Sequence, residues 1–545
     1  MAVVHSALRH SAVVFGDTRS AEPDIVRRVT ARVSLRSHAV PDNKTETHLD
    51  RRRFIAAAGS AGLLGLDACG GGGGGAPTPA PPPSPNWTSL QGVLSGTVLL
   101  PGAAGFAAAA PVFNAAYDAT LPQAVVRCAS ANDVAMALDF AREYGVAVTA
   151  RSGGHGYTGN SATTGMVIDV GALSSIVVGS GTATIGAGAK LVDIYDQLST
   201  QGVCIPSGTC PTIGIAGITQ GGGIGVVDRA YGLTCDHLVS AQVVLADSSI
   251  VDCDAGTHAD LFWALRGGGG GNFGIVTSMT FNTFATQDVT RFSANFAWAD
   301  AADVLAAWQA WPQTLPDTVW SGLVLADTLA IEVSGIFIGG ESDFTPIWTQ
   351  FLASAGATPT TQSIQPESFR DAMLASCYAM TVSQCHLGSE TSDGLVSRTA
   401  FAATSDFFNA ALPSAGITAL LAAVSAQQGT GLLVLMDLMG GAIARVAPDA
   451  TAFVHRNALF SAQYYIQSGL GVPDSVVTEA RSVVSGMRAA MSAWSSGEAY
   501  QNYLDPNLAN WQSAYYGANY ARLVQVKSAY DPTQMFKPAQ GIPPQ

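Results

Sequence analysis

The chain has 545 residues, 48% of them hydrophobic and 12% charged, with a formal net charge of −14. This excludes a disordered chain and a single compact core, and predicts two or more domains. The acidic balance excludes a nucleic-acid-binding surface and offers no attraction to anionic lipid. Eight cysteines with no C-x-x-C pair rule out a disulfide scaffold and a zinc ribbon, and no metal site is expected.

Residues 1–49 carry no sustained hydrophobic period and read as disordered, or as a start codon set too far upstream. In residues 50–69, Arg51-Arg52-Arg53 precede an apolar run ending at Leu66, too short to span a bilayer. That is the build of a bacterial export signal, and the paired arginines resemble a twin-arginine signal. Leu66-Asp67-Ala68-Cys69 resembles a lipobox, with Cys69 as the lipidated residue and Asp67 as a departure. Residues 70–87, rich in Gly and Pro, read as a tether. The expected location is the periplasmic face of an envelope membrane as a lipoprotein, or a periplasmic or secreted form.

Residues 88–287 form the first globular segment. A helix is predicted over 132–144, closed by Gly145, and strands over 146–150, 166–170 and 183–188, with a helix over 191–201. The first strand runs into Arg151-Ser152-Gly153-Gly154-His155-Gly156; a second loop reads Ser207-Gly208-Thr209-Cys210-Pro211-Thr212-Ile213-Gly214. Gly221-Gly222-Gly223-Ile224-Gly225 and the run Gly267 to Gly271 do not match G-x-G-x-x-G, so a nicotinamide-binding fold is disfavoured. Four glycine loops let backbone N–H groups approach a large flat cofactor carrying phosphates.

These loops, with Asp260-Leu261-Phe262-Trp263-Ala264-Leu265-Arg266-Gly267-Gly268-Gly269, resemble the FAD domain of berberine-bridge-enzyme-like oxidoreductases of the vanillyl-alcohol-oxidase / p-cresol-methylhydroxylase superfamily. The resemblance covers roughly 118–545. It implies an α+β fold: a two-subdomain FAD-binding domain of the p-cresol-methylhydroxylase type, and a substrate domain with an antiparallel sheet flanked by helices. It also implies bicovalent FAD, with His155 on the 8α carbon and Cys210 on C6. Neutral imidazole can add to the 8α carbon, and the thiolate needs a lowered pKa or a nearby base. Further FAD contacts implied are Arg151, Ser152, Gly153, Gly154, Gly156, Ser161, Gly208, Thr212, Ile213, Gly214, Gly217, Gly221, Gly222, Gly223, Gly225, Gly274, Val276, Tyr500, Asn502, Tyr516 and Asn519.

Residues 288–498 read as the substrate domain. Strands are predicted at 329–333, 432–435 and 459–466, and a helix at 417–425. Plant members of the family carry a glutamate on the last of these strands. Counting without gaps from His455-Arg456 puts Ala462 in its place, with Gln463 and Tyr464 beside it as substrate contacts. Cys377 and Cys385 either pair or remain two buried thiols.

Residues 499–545 return to the FAD domain. Tyr500-Gln501-Asn502-Tyr503 matches a family stretch whose second tyrosine can serve as general base. Tyr503 then needs a pKa below the usual value of about 10, and Arg456 is the candidate cation. The expected reaction is oxidation of an alcohol or hemiacetal, in an oligosaccharide or a bulky aromatic alcohol, by hydride transfer to flavin N5. Dioxygen or a quinone-type acceptor reoxidises the flavin. Ile213, three residues after Cys210, occupies the family's oxygen-gating position. The alternative is a non-catalytic flavin-bearing envelope binding protein.

Overall fold

A computed structural model describes residues 83–377, 380–386 and 394–545. The expected signal, Cys69 and most of the tether lie outside the described residues.

The first sheet has the order β1-β2-β4-β3: Thr97–Leu99 (β1), Ala124–Arg127 (β2), Val148–Arg151 (β3) and Met166–Asp169 (β4). Strands β2, β3 and β4 are parallel, with Arg151 opposite Asp169. The crossover from β2 to β3 is helix α1, Ala131–Tyr144. Ser130 caps it by accepting the Asp133 N–H, and Gly145 ends it at φ 64°, so the true cap lies two residues before the predicted start. The chain then leaves β3 directly into the His155 loop.

The second sheet is antiparallel, in the order β5-β6-β10-β8-β9. Its strands are Ile176–Val178 (β5), Thr182–Gly186 (β6), Leu238–Val244 (β8), Ile250–Asp254 (β9) and Ile275–Asn282 (β10). Helix α2, Leu191–Ser199, follows β6, buries Leu191, Val192, Ile194, Tyr195 and Leu198 on one face, and precedes the Cys210 loop. A two-stranded ribbon pairs Val203–Cys204 (β7) with Phe284–Ala285 (β11). One apolar core runs through both sheets and takes in Leu523, Val526 and Phe536 from the C-terminal segment.

The remaining strands make a seven-stranded antiparallel sheet, β15-β12-β14-β13-β17-β18-β16. They are Val289–Phe296 (β12), Val319–Ala326 (β13), Ala330–Ile338 (β14), Thr361–Glu367 (β15), Ala400–Phe408 (β16), Leu432–Leu438 (β17) and Phe460–Ser468 (β18). Helices α3 (Ala301–Ala310), α4 (Glu341–Ala355), α5 (Ser414–Ser425) and α6 (Asp474–Met491) bury one face of this sheet in a second core. Alternation on β17 sends Leu432, Val434, Met436 and Leu438 to that core and leaves Leu433, Leu435 and Asp437 on the other face. Cys377 and Cys385 form a disulfide, Cα atoms 5.6 Å apart. The last helix, α7 (Tyr520–Tyr530), buries the Lys527 ammonium, which donates to Asn272 O (2.6 Å), Asp531 Oδ2 (2.6 Å) and Phe536 O (2.8 Å).

Candidate active site

The loops carrying His155 and Cys210 touch because their glycines have no side chains. A Cβ on Gly153 would stand 2.2 Å from Gly214 N and 2.7 Å from Thr212 O; one on Gly214 would collide with Ser152 Oγ at 1.8 Å. His155 Nε2 lies 2.8 Å from Thr212 Oγ1, and its ring stacks on Phe113 at 3.9 Å between centroids. Burial, then the Lys190 charge, push the imidazole pKa down to about 3. His155 is therefore neutral at any working pH, the form that can act as nucleophile. Burial pushes the Cys210 thiol up, not down as a resting thiolate would require.

Both side chains line a cavity of about 900 Å³. The wall also includes Arg151, Ser152, Gly153, Gly154, Gly156, Ser161, Gly208, Ile213, Gly214, Gly217, Gly274 and Val276, with Tyr500, Asn502, Tyr503 and Tyr516 from the C-terminal segment. Gln463 of β18 closes it from the seven-stranded sheet. Arg151 spends its guanidinium on backbone carbonyls: Ala109, Ala110 (3.0 Å) and Ser161 (2.9 Å). It holds the His155 loop in shape.

Seven of the expected contacts stand elsewhere. Thr212 sits against His155 without lining the cavity. Gly221 leaves room for the Asn502 side chain, Gly222 for Phe453 and Gly223 for Thr234, while Gly225 donates to Asp228 Oδ2 at 2.5 Å. Asn519 Nδ2 is used by Pro448 O (2.8 Å) and Thr451 O (3.2 Å). These residues support the wall from behind. Tyr464 is the larger correction. It points into the helix-covered core and donates to Asp406 Oδ2 at 3.1 Å. Ala462 faces the same way, so the cavity-facing position on β18 is Gln463, one residue later than the ungapped count. A shift of one residue turns every side chain to the opposite face.

Tyr500 Oη accepts from Gly223 N (3.0 Å), Ile224 N (3.2 Å) and Asn502 Nδ2 (2.9 Å). The Tyr503 ring meets Tyr500 edge-on at 4.8 Å and stacks on Tyr157 at 5.2 Å. Gln463 Nε2 donates to Tyr157 Oη at 2.9 Å. Burial above all, with the neighbouring Tyr157 phenol and Asp437 carboxylate acting the same way, holds the Tyr503 phenol well above its ordinary pKa. Arg456 does nothing to lower it: its guanidinium is bound to Asp236 (2.7 and 2.8 Å) and Thr451 Oγ1 (2.8 Å).

Sequence reasoning passed over Tyr157, Asp437 and residues 533–540, which line the cavity or act on it. Asp437 had a readable signal: one carboxylate in the apolar strand Leu432–Leu438. Burial raises its pKa to about 6, against a hydrogen bond from Ser461.

The cavity fits a dinucleotide with a flat ring: its volume suits a large cofactor, and at Gly217 and Gly271 its wall is bare backbone, with nothing within 4 Å of where a Cβ would stand. Fold and site together define an FAD-binding protein of the p-cresol-methylhydroxylase type. Residues 122–254 match the FAD binding domain family, and residues 499–543 the family described as berberine and berberine like. The uncharacterized FAD-linked oxidoreductase YgaK of Bacillus subtilis (strain 168) is 33% identical over 432 residues, 78% of this chain and 91% of that protein. Berberine-bridge-enzyme-like 1 of Physcomitrella patens superposes with a TM-score of 0.78 at 28% identity, over 84% of this chain and 99% of that one. The glucooligosaccharide oxidase of Acremonium strictum, whose FAD is 6-S-cysteinyl and 8α-N1-histidyl, gives a TM-score of 0.76 at 26% identity over 84% and 99%. The chain belongs to the berberine-like FAD-linked oxidoreductases, and it is an enzyme rather than a binding protein.

Proposed function

We propose that the chain holds FAD through covalent bonds at both His155 and Cys210 and oxidises a CH–OH group of an oligosaccharide or bulky aromatic alcohol. The observation that carries this reading is the shared cavity: His155, Cys210, Tyr503 and Gln463 line one space. The linkage in the similar glucooligosaccharide oxidase supports it. The wall residues named above would hold the cofactor, and bound FAD would supply the hydride acceptor. His155 is held neutral for attachment, while the Cys210 thiol must lose its proton as its bond forms.

A neutral phenol is a poor base, so Tyr503 needs an acceptor for its own proton. Asp437 fits that part. It shares the cavity-side face of the sheet with Gln463, and its charge is felt at Tyr503. The substrate hydroxyl gives its proton to Tyr503 Oη while Tyr503 releases one towards Asp437. Tyr157, stacked on Tyr503 and bonded to Gln463, fixes the ring plane.

The acceptor that follows is dioxygen or a quinone-type carrier. The Arg51-Arg52-Arg53 signal and Cys69 support export, as a lipoprotein on an envelope membrane or as a periplasmic or secreted protein. Acid-precipitated enzyme is expected to stay yellow, and His155→Ala with Cys210→Ala to release the colour. Colour that washes out of the unmutated protein would sink the bicovalent reading. Anaerobic bleaching by a panel of sugars and aryl alcohols then identifies the substrate.

A further inference from the structure

The Cys377–Cys385 disulfide lies outside the cavity wall, yet its flanking residues grip the Cys210 loop from two sides. Ser376 donates Oγ to Thr209 O at 3.1 Å, one residue before Cys210. His386 accepts Lys190 Nζ on its carbonyl at 2.8 Å, and its Nδ1 meets Asp193 Oδ2 at 2.5 Å. Lys190 and Asp193 belong to the cap and first turn of α2. That same turn donates Leu191 N to Ile213 O and Val192 N to Pro211 O, both at 3.0 Å. The carbonyls of residues 209, 211 and 213 are thus all held. The first hold comes from the residue beside Cys377, and the other two through the turn bound by the residue beside Cys385. The disulfide itself packs on Val192.

We propose that the Cys377–Cys385 disulfide positions Cys210 for its bond to the flavin, so that the second covalent attachment forms efficiently only in the oxidised chain. This rests on the bicovalent reading above. Attachment exchanges the Cys210 S–H and a ring C–H for an S–C bond; the two electrons and two protons released leave on dioxygen as hydrogen peroxide. Such a step is sensitive to placement, and a misplacement of about 1 Å costs on the order of 100-fold in rate. A disulfide spanning eight residues removes the alternative conformations that would let the two grips drift apart. Cys377, Cys385 and Ser376 are positioning residues, because none of them lines the cavity.

The test weighs flavopeptides from full-length holoenzyme, as unmutated protein and as the Cys377→Ala/Cys385→Ala, Ser376→Ala and Asp193→Asn variants. Unmutated enzyme is expected to give the His155 and Cys210 peptides joined through one flavin. The disulfide variant is expected to keep flavin on His155, which also reports an intact fold, with the joined species reduced by about ten-fold or more. Ser376→Ala and Asp193→Asn shift the yield the same way with the disulfide in place, and they decide the matter if the double variant does not accumulate. Full cross-linking in the disulfide variant, or in both single variants, overturns the proposal and leaves the bicovalent reading standing. Flavin on His155 alone in the unmutated enzyme overturns that reading, and this proposal with it.

Discussion

Asp437 and Ile213 bear on different halves of the proposed reaction. Asp437 is useful only as a carboxylate, and burial has raised its pKa to about 6. Flavin reduction is therefore expected to fall roughly ten-fold per pH unit below about 6 and to level off above it. Asp437→Asn should remove that limb and slow reduction by about 100-fold or more. A limb that persists in the variant would assign it to another group. The sign for stability is opposite: the folded pKa is raised, so stability is present below the free carboxylate's value of about 4 and lost as pH rises through about 6. Asp437→Asn should then raise the melting temperature at pH 7 and leave it unchanged at pH 4. Ile213 bears on the other half-reaction. It lines the cavity three residues from Cys210, and if its bulk blocks dioxygen, Ile213→Val speeds reoxidation in air. An unchanged stopped-flow rate would remove Ile213 as the gate.

Strands and loops decide which residues reach the cavity, and here the sequence was legible only in part. His155 and Cys210 could be read because their loops are glycine-rich, and glycine there answers a steric need: two backbones meet where no Cβ fits. Gly153→Ala is expected to part the loops, lower the yield of doubly attached flavin and cost about 1–3 kcal/mol of stability. Gly486→Ala is the control. Nothing lies within 4 Å of its added Cβ, and as an interior position of α6 it should gain up to about 1 kcal/mol. Equal melting temperatures and equal flavin loading for the two variants would show that the close approach is unimportant. Strand β18 was not legible in the same way. Both its faces are buried, with Tyr464 0% and Tyr465 1% exposed, so the polar and apolar alternation that fixes a register is missing. The sequence therefore assigns Gln463 and Tyr464 alike to the substrate, and only the pairing with β17 and β16 separates them.

The two largest apolar clusters among the described residues run one through the FAD-side sheets and one under the helices of the seven-stranded sheet. The C-terminal segment binds back to the first: Lys527 ties the glycine loop at Asn272 to the carbonyl of Phe536, and residues 533–540 line the cavity. That long-range return was visible in the sequence only through likeness to a family, because no local period records which distant loop a buried lysine will meet. A cavity walled by both sheet systems and this segment should make the cofactor part of the fold's stability. In the proposed bicovalent enzyme the ligand is always present, so the melting temperature of unmutated enzyme should not respond to added FAD. His155→Ala with Cys210→Ala converts the cofactor into an ordinary ligand, which stabilises by RT ln(1 + [L]/Kd), about 2.7 kcal/mol at 100 times Kd. The melting temperature of that variant should be lower without FAD and climb steadily as FAD is added, approaching the unmutated value. A variant melting at one temperature across the FAD titration would mean that the wall closes without its cofactor, and that the two bonds serve retention alone.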